Sequence, residues 1–134
     1  MSFGDYLENE LLDHVFGAAA YTAPATLHIG LSTTAPTDAG GNISEPSGAA
    51  GYARVAVTNN LTNFPAAVSG AKANGTVFTF PTATASWSTV THFIIMDQAS
   101  GGNMLGSGSL TNPKTIDSGD TASFAVGDLD ITLD

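Results

Sequence analysis

The sequence predicts an all-β domain, a two-sheet β-sandwich or jelly-roll-like barrel of about 7–8 short strands preceded by one N-terminal α-helix. Three observations predict it. Short apolar, β-branched runs recur between clusters of Gly, Pro, Asn, Asp and Ser, as strands between turns do. Only one stretch, residues 2–17, has a helical period. Charged residues make up 11% of the chain, against roughly 25% in ordinary domains, so Ser, Thr, Asn, Gly and Ala must cover the surface. At 134 residues the chain is expected to form a single domain, 1–134, large enough to bury its own core.

In residues 2–17, Phe3, Leu7 and Leu11 fall at i, i+4 and i+8, flanked by Leu12, Val15 and Phe16. Ser2 reads as N-cap with Asp5 three residues on, Asp5 and Glu8 suit the positive end of the dipole, His14 the negative end, and Gly17 the C′ position. The apolar stripe has two destinations, the protein's own body or a neighbouring subunit. Ala18–Pro24 is a linker to a body spanning 25–134.

Thr26–Leu31 alternates, which turns Leu27, Ile29 and Leu31 inward and His28 outward. The long stretch 33–51 has no period and exceeds an ordinary connection, so it reads as a functional or partner-ordered loop. Tyr52–Val57 is a strand with Val55 and Val57 on one face and Tyr52 and Arg54 on the other, and Asn59–Ser69 is a loop. Val77–Phe80 and Val90–Met96 form a hairpin-like centre. Phe78 and Phe80 share a face, Trp87 plugs the core, and Val90–Met96 is a strand buried on both sides. Asp97–Asn103 closes a hairpin onto Met104–Leu110, where Gly106 and Gly108 mark a bulge or a close backbone approach. Pro113 is expected to break pairing before Lys114–Ile116 and the turn Asp117–Asp120. Thr121–Val126 and Leu129–Leu133 then complete the sheet.

Chemistry is sparse. The absence of cysteine removes disulfides, thiolate metal sites and a cysteine nucleophile. A net charge of −9, with only Arg54, Lys72 and Lys114 positive, opposes nucleic acid and anionic membranes and favours a basic partner. His14, His28 and His92 share no ligand spacing, and Asp117 with Asp120 or Asp128 with Asp130 reads as turn capping before calcium binding. Gly106-Ser107-Gly108-Ser109 is not a nucleophile elbow. Asn42, Asn60 and Asn74 open glycosylation-type triplets that a Thr- and Asn-rich chain forms by chance. The expectation is a non-enzymatic protein without cofactor, catalytic residue or metal. Its acidic start lacks the basic region of a signal peptide, which predicts synthesis in the cytoplasm of the producing cell without a secretory signal.

Several stretches together resemble a family of small tailed-phage virion structural proteins, often labelled tail-fibre or minor structural proteins and similar to capsid decoration proteins. They are Tyr6–Asn9 with Leu12–Gly17, Leu27–Pro36, Gly51–Arg54, Phe80–Trp87, Thr91–Phe93, and Ser118–Thr121 with Leu129–Asp134. The resemblance implies assembly into a virion and carries no catalytic residue. The chain has neither a repetitive nor a coiled-coil shaft. That directs the expectation to the head: a capsid decoration (cement) protein, a homotrimer at capsomer junctions binding the major capsid protein or other virion proteins. The alternative is a tail-fibre or tail-tip module that binds a host surface glycan or another tail protein. The expected contact residues are Phe3, Leu7, Leu11 and Val15 on the helix, Asp38, Asn42 and Glu45 on loop 33–51, and Arg54.

Overall fold

The structure, a computed structural model, describes residues 1–133; Asp134, the last residue of the stretch Leu129–Asp134, lies outside the described residues. Nine strands and one α-helix follow in the order β1 (Ser2–Phe3), α1 (Asp5–Phe16), β2 (Thr26–Ser32), β3 (Val55–Thr58), β4 (Ala71–Ala73), β5 (Phe78–Thr79), β6 (Ser88–Met96), β7 (Met104–Ile116), β8 (Ser123–Phe124) and β9 (Asp130–Thr132). A five-stranded antiparallel sheet runs β1-β7-β6-β2-β3, and two short pairs, β4-β9 and β5-β8, lie over it. The arrangement is sandwich-like, as the alternation predicts.

The most apolar run becomes the central strand. β6 pairs with β2 on one side and β7 on the other, and Val90, Phe93, Ile94, Ile95 and Met96 are all buried. Its two faces have different covers. Phe93 and Ile95, with Ile29, Leu31 and Val57, join Phe78, Phe80, Phe124 and Leu129 from the opposite layer in the main core. Ile94 and Met96 turn the other way and meet Met104 and, from loop 33–51, Ile43. That loop is therefore the lid of the sheet's second face. Its order comes from its own chain: Thr33 N donates to Ser44 O, Thr34 Oγ1 to Asn42 O, and Asn42 Nδ2 to Ala35 O.

Three sequence expectations need correction. The helix starts at Asp5, because Ser2 and Phe3 form β1 against Ser107 and Gly106. The N-cap is Gly4, whose N–H donates to Leu105 O and whose added Cβ would run into the Met104 carbonyl. The first-turn N–H of Asp5 finds Asp38 O at 2.9 Å, so a loop carbonyl serves where the Ser2 side chain was expected. Second, β5 pairs with β8 rather than with β6, so Val77–Phe80 and Val90–Met96 form no hairpin. Phe78, Phe80 and Trp87 are nevertheless buried in the core as the alternation predicts. Third, β7 continues through Pro113. Val90 faces Lys114 while His92 faces Ser109, so residues 110–113 bulge out opposite Thr91, and a residue without an N–H breaks no ladder bond there.

The remaining differences are smaller. β3 begins at Val55 instead of Tyr52, and β8 and β9 pair with β5 and β4 instead of extending the large sheet. Leu129 is buried and Ile131 packs on the core, but Leu133 is exposed. Gly106 and Gly108 are sites of close approach: a Cβ on Gly108 would stand 2.7 Å from the Phe93 ring, and one on Gly106 would meet Met1 and the Ser2 carbonyl.

The sequence gives no sign of one core residue. Asn74 is 2% exposed. Its Nδ2 donates to Thr76 O and Ala125 O, and its Oδ1 accepts from Leu129 N at 2.9 Å, tying β4 to the segments around β8 and β9. N74A leaves those backbone groups without their partner, and we expect a loss of about 3 kcal/mol of unfolding free energy. N60A, which removes an exposed turn cap on Thr62 and Asn63, should cost about 1 kcal/mol. Urea unfolding of the two variants checks the order.

Candidate interaction surface

Two features shape the surface: a polar lock that ties down the loop, and a helix that packs one side on the body and leaves the other in water. The lock centres on Glu45. Its Oε1 accepts from Arg54 Nε at 2.9 Å and from Tyr52 OH at 2.6 Å, and its Oε2 accepts from Arg54 Nη2 at 2.7 Å. Arg54 Nη1 donates to Gln98 O and Gly101 O, closing over the β6–β7 turn. Tyr52 OH also accepts from Leu31 N at 2.9 Å, an N–H that β3 does not reach. The lock thus joins the loop, the β3 edge, β2 and the hairpin turn. Burial pushes the Glu45 carboxyl up, but hydrogen bonds from Arg54 and Tyr52 and the guanidinium charge outweigh it, so its pKa lies below the usual range. The Tyr52 phenol is pushed upward by burial and by Glu45.

Tyr52 is packed rather than displayed. Its ring stacks near Phe80 and meets Trp87 edge-on at 5.2 Å, and Trp87 Nε1 donates to Ala50 O. Of the three aromatics that the sequence offers for stacking on a sugar, Tyr21, Tyr52 and Trp87, the last two are held in the core, and Tyr21 is half-buried on the segment after the helix. The expected loop contacts are likewise occupied within the chain. Asp38 Oδ1 accepts from Ser2 Oγ at 2.8 Å, Asn42 holds Ala35 O, and Glu45 holds Arg54. The structure therefore brings Glu45 and Arg54 together and places Asp38 beside β1.

The helix residues divide. Phe3, Leu7 and Leu11 are half-buried, and Leu7 packs on the main core. Val15 is 63% exposed, and Leu12 and Phe16 on the same outer side are 57% and 84% exposed. The segment after the helix turns back along it, with Tyr21 N donating to His14 Nδ1. Helix and linker together form an arm packed on the body through Leu7, with an exposed apolar patch at its C-terminal end. An open groove of about 560 Å³ lies elsewhere, where the β7 bulge leaves Val90, Phe93, Leu110 and Phe124 under a polar rim.

Among the described residues no three His, Asp or Glu side chains stand close enough to hold a metal. Asp120 Oδ2 accepts from Asp117 N and Asp128 Oδ2 from Ala125 N, the backbone-capping role expected of acids in such turns. Among the described residues no helix is long and apolar enough to cross a membrane.

Against this geometry, residues 2–132 match the model of one protein family, described as podophage GP4 fiber I protein gp80. The chain belongs to that family. It is thus a structural protein of a phage virion, and the match covers the helix and all nine strands. Among curated proteins no sequence matches it. In this gp80-family chain the outer side of α1 and the groove are two surfaces left open within the chain.

Removing the lock tests its weight. Glu45's lowered pKa contributes stability above its unfolded value near 4.5 and loses it as pH falls through the folded value. E45Q should therefore be about 2 kcal/mol less stable than wild type at pH 7, with the gap narrowing as pH drops below about 4.5. Thermal melts at a series of pH values read this directly.

Proposed function

We propose that the chain is a non-enzymatic building block of a podophage tail fibre, attached to another virion protein. The observation that carries the reading is the family match over residues 2–132, whose description names a fibre. The physical features support it. Asp120 and Asp128 cap their own turns, Glu45 and Arg54 hold each other, and α1 carries an exposed apolar patch of Leu12, Val15 and Phe16 that can take a protein partner.

The sequence favoured a capsid cement protein because the chain lacks a shaft. A compact module carried by a fibre has the same property, and the family's description names no head protein. The fibre reading therefore comes first. Between the two roles of a fibre module, binding a glycan or binding a tail protein, the internal positions of Trp87 and Tyr52 favour protein.

Gold-labelled antibody against the folded chain, applied to intact virions, should mark the fibres at the tail. Label distributed over the head would overturn the fibre reading and restore cementing. In the same particles, deletion of the gene should reduce adsorption to host cells and leave the heat resistance of the filled head unchanged.

A further inference from the structure

We infer that the outer face of α1 is a docking knob for a different virion protein, one whose receiving surface is an apolar recess ringed by Lys or Arg; this rests on the virion reading above. Leu12, Val15 and Phe16 lie at i, i+3 and i+4, so they form one patch on the helix surface. All three are more than half exposed, and no residue of α1 is fully buried. A Phe that is 84% exposed is a large apolar surface left to water, and the patch continues into the exposed run Ala18–Ala20.

Charge decides the occupant. Glu8 lies one turn before Leu12 on the same face, and Asp5 two turns before it. Asp13 flanks Phe16 one turn earlier, and the helix also carries Glu10 but no Lys or Arg. The unpaired carbonyls at the helix C-terminus add negative partial charge at the tip. A second copy packed face to face with its helix parallel would set Glu8 and Asp13 against their own kind in a dewatered contact, and in any orientation the two molecules would meet at −9 each. Like charges so placed cost several kcal/mol in general. A basic rim around an apolar recess answers both halves of the knob, and the acidity of the whole chain steers it there.

The test is complementation. Phage deleted for the gene is grown on cells supplying the wild-type chain, F16D, or the double charge reversal E8K/D13K, and copies per virion are counted by mass spectrometry. These side chains are exposed, so the purified variants should fold, with melting temperatures lowered only slightly where a charge now opposes the helix dipole, and a cooperative melt excludes misfolding. We expect each variant to be incorporated at least about tenfold less than wild type. Wild-type incorporation with undiminished F16D overturns the knob while leaving the virion reading intact. Undiminished E8K/D13K overturns the basic ring. A wild-type chain absent from the virion defeats the virion reading itself. Sedimentation of the purified chain adds the self-association outcome: an oligomer, such as the trimer expected from the sequence, that F16D dissolves would assign the face to a second copy and overturn the inference.

Discussion

The contact on which the rest of the structure depends is the carboxylate of Glu45 gripped by Arg54 and Tyr52. The chain has only three cationic side chains, and one of them is committed to this site. Arg54 uses its planar fork on both carboxylate oxygens and its remaining nitrogen on two turn carbonyls. A lysine offers a point charge and no such fork. The lock holds down one end of loop 33–51, and that loop covers Ile94 and Met96. Without the cover, the most apolar strand would expose one of its two faces.

The opposite face is held by aromatic packing. Tyr52, Trp87, Phe80, Phe124 and Phe93 meet in succession at centroid separations of 5.2–6.4 Å, connecting the large sheet to the short pair β5-β8. Tyr52 belongs to both systems, its ring in the core and its hydroxyl in the lock. Polar and apolar order are therefore coupled through one side chain. Asn74 acts similarly on the β4-β9 side, where strands of three residues have too few ladder bonds to fix their own register.

For a structural protein of a virion, this economy shapes what can be recognised. The acids in turns cap backbone groups, the loop is hydrogen-bonded to itself, and Trp87 is interior. The end of α1 is exposed and apolar, and the helix is anchored through Gly4 and Asp38 at its other end. A knob on a stitched base presents its side chains with little ordering left to lose on binding, which favours affinity per unit of buried area.

Val90–Met96 announced itself because six of its seven positions are apolar or β-branched, which leaves few alternatives to a doubly covered strand. The hairpin at Asp97–Asn103, the inward Phe78 and Phe80, and the close approaches at Gly106 and Gly108 were legible for the same local reason. The pairing of Phe78 with Phe124 was not, since the two are far apart in the chain and two-residue strands carry no register information. Nor was β1, because Ser2 fits a helix cap as well as it fits a strand, and only the β7 edge and Asp38 decide between them.

The residues that the sequence offers as contacts divide along the same line. Helical spacing alone placed Val15 on an apolar face, while Glu45 and Arg54 looked like surface charges until the fold brought them to 2.7 Å. By itself, then, the sequence determined the β class, the central strand, the helix and the absence of a spaced catalytic motif, because periodicity and composition are local properties. Which strands pair, which polar groups satisfy each other, and which end of the helix remains in water were decided only by tertiary structure, because each depends on groups that meet across long stretches of chain.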